Sequence, residues 1–123
     1  MRVDFKTPIY LVKDIAISKI FYEKTLGVAI LQDFGSFVVF EGNFAIHSAD
    51  VLYGYMDKNY AGGRLGSDNL ELYFTSPDLP ALQKKLSDEN VTFIHPIKES
   101  PWGEKVLRMY DPDGHIVEIG DAV

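Results

Sequence analysis

The sequence predicts an α+β fold in which one element order, β-α-β-β-β, occurs twice. Three observations carry this reading. A helix-cap residue, Asp14, has a counterpart in Asp78, 64 residues further on and about half the chain away. Each cap is preceded by an extended apolar segment and followed by apolar residues at helical spacing. Behind each helix come three short apolar runs separated by turn residues, the pattern of successive strands. A chain of 123 residues accommodates one domain, so the two halves are expected to be modules of it, the first about residues 1–60 and the second about 67–123.

The first strand is expected over Val3 to Val12, with Pro8 marking an edge or the start of its regular part. Residues 15 to 26 read as an amphipathic helix, capped by Asp14, with Ile17, Ile20, Phe21 and Leu26 as its apolar stripe and Gly27 as its stop. Val28 to Leu31, Phe34 to Phe40 and Phe44 to Ser48 are the next strands, and Glu41-Gly42-Asn43 makes a hairpin of the last two. Ala61 to Gly66, rich in glycine, reads as a connector. In the second half Leu70 to Thr75 is a strand, and Asp78 caps a helix with Pro80 in its first turn. Leu79, Leu82 and Leu86 form that helix's stripe and Asn90 ends it. Val91 to His95, Lys105 to Tyr110 and Ile116 to Ile119 complete the set, the last two joined by Asp111-Pro112-Asp113-Gly114.

Composition narrows the chemistry. Hydrophobic residues at 46% and charged residues at 24% are those of an ordinary globular protein. A net charge of -6 and a pI near 4.9 argue against nucleic acid, whose phosphates demand clustered Lys and Arg. The longest basic cluster, Lys84-Lys85, falls in a helical pattern and reads as a solvated face. No apolar run has the length of a membrane span, and Asp4 and Lys6 do not suit a signal peptide, so a cytoplasmic protein is expected. With no cysteine, a metal would have to be held by His, Glu or Asp. No phosphate loop, Ser-His-Asp array or dinucleotide fingerprint is present.

Alternation along the strands picks out the polar candidates. Successive side chains of a strand face opposite sides of the sheet. Glu71 stands between Leu70 and Leu72, Glu118 between Val117 and Ile119, and His47 follows Ile46, while Thr7 holds the matching place in the first strand. If Leu72, Phe74, Val117, Ile119, Phe44 and Ile46 pack on the helices, these four project from the other face. Two readings stay open at this point. The face meets water, with each glutamate paired to a base such as Arg108 or Lys6, or it forms a site.

The segments Tyr10-Leu-Val-Lys-Asp-Ile, Phe21-Tyr-Glu-Lys-Thr-Leu-Gly27, Asn69-Leu-Glu-Leu-Tyr-Phe, and Pro101-Trp-Gly through Tyr110-Asp-Pro-Asp-Gly-His-Ile-Val-Glu-Ile119 together resemble the vicinal oxygen chelate superfamily. That superfamily includes glyoxalase I, methylmalonyl-CoA epimerase, fosfomycin and bleomycin resistance proteins and extradiol dioxygenases. The resemblance spans nearly the whole chain. It implies a glyoxalase-like fold, two paired βαβββ modules forming a U-shaped sheet cup around a small-molecule site, often with a divalent metal.

By the same resemblance the metal-ligand places fall on Thr7, His47, Glu71 and Glu118. Glu118 follows the Asp-Pro-Asp-Gly turn at the family's spacing. Thr7 departs from the pattern, which calls for His, Gln or Glu, so the implied ligands are His47, Glu71 and Glu118. Three ligands suffice for a catalytic zinc, nickel, manganese or iron ion that keeps positions open.

The leading expectation is a metal-dependent lyase or isomerase acting on a small oxygenated substrate through an enediolate, with Glu71 or Glu118 moving the proton. Its rival is a metal-free small-molecule binding or drug-sequestering resistance protein. An iron dioxygenase ranks behind both, since two histidines and one carboxylate are its usual set. Trp102 and Arg108 are the candidate substrate-binding residues. His115 is expected in a hairpin turn and His95, before Pro96, as a structural or surface histidine. Tyr53, Tyr55 and Tyr60, in the Tyr- and Gly-rich residues 51 to 66, are candidates for contact with substrate or a second subunit, and a homodimer is expected.

Overall fold

A computed structural model describes residues 1–122 and divides the chain into two compact units, Met1–Leu65 and Gly66–Val123. Each unit is a βαβββ module, as the sequence predicts. In the first, β1 (Ile9–Val12), β2 (Ile30–Asp33), β3 (Phe37–Phe40) and β4 (Phe44–Ser48) form a sheet of order β1-β4-β3-β2. In the second, β5 (Glu71–Ser76), β6 (Phe93–Glu99), β7 (Lys105–Tyr110) and β8 (Ile116–Asp121) repeat it as β5-β8-β7-β6. Within each sheet the first strand pairs in parallel with the last, and the other pairs are antiparallel.

The first strand is shorter than predicted. Val3 and Phe5 alternate like strand residues, yet both are exposed and the ladder begins only at Ile9, opposite Ala45. The reason is the partner, since β4 starts at Phe44 directly after the turn at Asn43 and offers nothing earlier to pair with. Thr7 therefore lies just outside the strand, where its hydroxyl donates to the Asn43 carbonyl at 3.0 Å.

Asp14 caps α1 (Ile15–Ile20), accepting from the Ala16 and Ile17 amides. The buried stripe is Ser18, Phe21 and Tyr22, while Ile17 and Ile20, expected in it, are more than half exposed. The helix continues as a π-helical turn, Phe21–Thr25, closed by the Leu26 amide on the Phe21 carbonyl. An α-helix rotates successive side chains by about 100°, and the widened turn goes with burial of the consecutive aromatics Phe21 and Tyr22. Tyr22 is fully buried, its ring centroid 5.6 Å from those of both Phe40 and Phe44.

The Tyr- and Gly-rich stretch that contains Tyr53 and Tyr55, given no element from the sequence, is entered by a helix, α2 (Ala49–Tyr55). Ser48 caps it by accepting from the Val51 amide, and Asp50 lies in its first turn. Among the described residues no helix is long and apolar enough to cross a membrane. In the second module Asp78 caps α3 (Leu79–Asp88), whose Leu79 and Leu86 join Leu72, Leu107, Met109, Val117 and Ile119 in the core. The Asp111-Pro112-Asp113-Gly114 turn is pinned from inside, Asp111 Oδ1 accepting from the Asp113 and His115 amides. Gly66 crosses that turn so closely that a Cβ on it would stand 1.9 Å from the Gly114 carbonyl oxygen.

Candidate functional site

The second module's sheet carries an apolar face toward α3 and a polar face opposite. Leu107, Met109, Val117 and Ile119 are buried on the first. Pairing then sets one row of side chains across the second. Tyr73 of β5 is registered with Glu118 of β8, Glu118 with Arg108 of β7, and Arg108 with His95 of β6. Glu71 lies two residues before Tyr73 and shares its face.

Arg108 organises the row. Its Nε and Nη2 both approach Glu118 Oε1, at 2.9 and 2.6 Å, and its Nη1 lies 3.0 Å from His95 Nε2. Nε is also 3.7 Å from Glu71 Oε2. The Arg108–Glu118 pair is mostly shielded, with side-chain exposures of 29% and 12%, which makes it stronger than a surface pair. Burial and the neighbouring Glu118 carboxylate raise the Glu71 pKa above the ordinary carboxylate value, and Arg108 offsets part of the rise.

A second cluster stands beside the row. Tyr73 Oη donates to Glu104 Oε1 at 2.5 Å, and the Trp102 indole N–H reaches Glu104 Oε2 at 3.3 Å. The Ser100–Glu104 loop is closed on itself by the Ser100 amide and hydroxyl donating to the Glu104 carbonyl, with Gly103 at φ 92 in the left-handed region. Trp102 is thus tethered although 75% exposed. The bundle covers Gly120, where a Cβ would meet Glu104 Oε1 at 2.3 Å.

His47 belongs to the first module. On its row are Leu11 and Phe37, and the Phe37 ring meets the imidazole edge to face at 5.2 Å between centroids. Burial lowers its pKa, favouring the neutral ring. Glu71 and Glu118, predicted on sequence grounds to share a site, lie together with Arg108. Among the described residues no group of three His, Asp or Glu side chains could hold a metal ion. The arrangement does not favour one, because Glu118 Oε1 already accepts two Arg108 N–H bonds and the guanidinium beside both carboxylates would repel a cation placed there. Sequence reasoning assigned no site role to His95, Tyr73 or Glu104. Alternation along β5 is the signal that could have found Tyr73, two residues after Glu71, but the contacts of His95 and Glu104 emerge only from strand register and loop closure.

The chain belongs to the glyoxalase-like domain family, whose model matches residues 5–123. It is similar to a crystal structure of a protein of unknown function from Agrobacterium tumefaciens, with 41% identity, coverage of 100% of this chain and 97% of that one, and a TM-score of 0.90. A glyoxalase-related enzyme from Fulvimarina pelagi shares the fold at 20% identity, with 98% and 89% covered and a TM-score of 0.76. So does a glyoxalase/bleomycin resistance protein/dioxygenase from Nocardioides, at 19% identity, with 100% and 86% covered and a TM-score of 0.69. A comparison with curated proteins finds no significant match.

Proposed function

We propose that this chain is a metal-independent small-molecule-binding protein of the glyoxalase-like family, with Arg108 as the anchor of its ligand. The observation that carries the reading is the guanidinium between Glu71 and Glu118, which provides a built-in cation beside both carboxylates. Guanidinium has five N–H bonds, of which Glu118 and His95 engage three among the described residues. Two remain for an oxygen of the ligand. The Glu71 carboxyl stands beside this anchor, its pKa raised by burial and by Glu118, and Trp102 and Tyr73 offer aromatic surface. This chemistry favours a planar, oxygen-bearing small molecule, which agrees with a binding or drug-sequestering role. A lyase or isomerase using a metal on His47, Glu71 and Glu118 would first have to displace Arg108.

Trp102 is the sole tryptophan of the chain, so its fluorescence reports this loop alone. The test is metal analysis of the purified protein together with fluorescence titration against a panel of hydroxyacetophenones, before and after chelation. The expected result is metal well below one equivalent and saturable quenching that chelation leaves unchanged. One equivalent of a divalent ion, with quenching lost on its removal, would establish the metal-dependent reading instead.

A further inference from the structure

His95 makes two contacts that together determine its chemical form. Nδ1 lies 2.7 Å from the Pro96 carbonyl oxygen, and Nε2 lies 3.0 Å from Arg108 Nη1. A carbonyl only accepts and a guanidinium only donates. Nδ1 must therefore carry the proton, and Nε2 must present its lone pair. The ring is neutral, in a single tautomer, and its partner is the side chain that also binds Glu118.

We propose that His95 is a positioning residue, holding one end of the Arg108 guanidinium while Glu118 holds the other, so that the two remaining N–H bonds keep a fixed direction toward a ligand oxygen. A planar group fixed at Glu118 alone can still swing about that contact, and the second contact, from the neighbouring strand, removes the freedom. The part concerning ligand rests on the function proposed above. The clamp itself is a property of the protein without ligand.

The clamp requires the neutral ring, because an imidazolium has two donors and no acceptor and would repel the guanidinium.

The experiment is long-range proton–nitrogen NMR of the 15N-labelled protein without ligand. The expected spectrum shows His95 protonated on Nδ1 and bare on Nε2, with a slowly exchanging Arg108 Nε–H. His95→Phe, which keeps a ring but has no acceptor, should lose the slow exchange. His95→Gln, which restores an acceptor oxygen, should keep it. For 2′-hydroxyacetophenone as probe, His95→Phe should weaken binding about tenfold and His95→Gln about twofold or less. An Nε2–H tautomer in the native protein, or an Arg108 signal indifferent to His95→Phe, would overturn the proposal. If the NMR results hold while no hydroxyacetophenone binds, the positioning role stands and the ligand reading falls.

Discussion

Replacing Arg108 by Met keeps most of the side chain's bulk and removes its charge, leaving Glu71 and Glu118 side by side without a counter-charge. The cost follows from how shielded the pair is. Exposed ion pairs contribute roughly 0–1 kcal/mol, and breaking a fully buried one costs about 3–5 kcal/mol. With side-chain exposures of 29% and 12%, the Arg108–Glu118 pair lies between these limits, and a loss of about 2 kcal/mol at neutral pH is expected. For a chain of this size that corresponds to a fall in Tm of roughly 6–12 °C.

The pH dependence has a defined sign. Glu71 has a folded-state pKa raised above its unfolded value, so its protonation favours the folded state. Its stabilising contribution is fully present below the unfolded pKa and is lost as the pH rises through the folded one. Without Arg108 the repulsion between the two carboxylates grows, so the Tm deficit of Arg108→Met should be largest near neutrality and shrink on acidification through the carboxylate range. Scanning calorimetry of both proteins across that range measures it. A Tm unchanged at neutral pH, or a deficit that deepens on acidification, would refute the view of Arg108 as the charge that holds the site together. The same variant frees both carboxylates, so it should bind zinc or manganese more tightly than the native protein does.

Two further predictions concern glycines. Gly66→Ala places a methyl group against the Gly114 backbone, which has no flexible end to yield, and should cost about 3 kcal/mol or more, read as loss of folded protein in denaturant titration. Gly120→Ala meets side chains and no backbone, the far end of Glu104 first and then the hydroxyl edge of the Tyr73 ring, so the fold should persist within about 1 kcal/mol while the Trp102 emission shifts as its tether is displaced.

Much of the architecture is legible because it is written in short-range chemistry. Asp14 and Asp78 announce their helices by capping, and the glycine-bearing turns at residues 41–43 and 111–114 mark hairpins where they occur. Alternation likewise assigns Glu71 and Glu118 to the face away from Leu72, Val117 and Ile119. What depends on a partner's length or register is less accessible. Val3 and Phe5 alternate correctly, but alternation carries no information on where β4 begins. Helical spacing chose Ile17 and Ile20 for the stripe, whereas burial follows Ser18, Phe21 and Tyr22, because packing on the sheet, not hydrophobicity alone, sets which face turns inward. The helix after Ser48 was masked by its Tyr and Gly content. Arg108 could be suggested as a partner for the glutamates, but its meeting with Glu118 and His95 follows from strand register.

The parallel pairing of first and last strands in each module bears on how the protein is made. Ile9 finds Ala45 across 36 residues of chain, and Glu71 finds Ile116 across 45. Such distant pairings pay their closure entropy before any ladder forms, and they slow folding. On the ribosome the first module can close while the second is still being assembled. The second must wait for β8, which contributes Glu118 and is the last strand to emerge. Arg108 and Glu118 therefore meet only once translation has passed through that strand, and a nascent chain stalled before it would carry a finished first module and an Arg108 without its carboxylate partner.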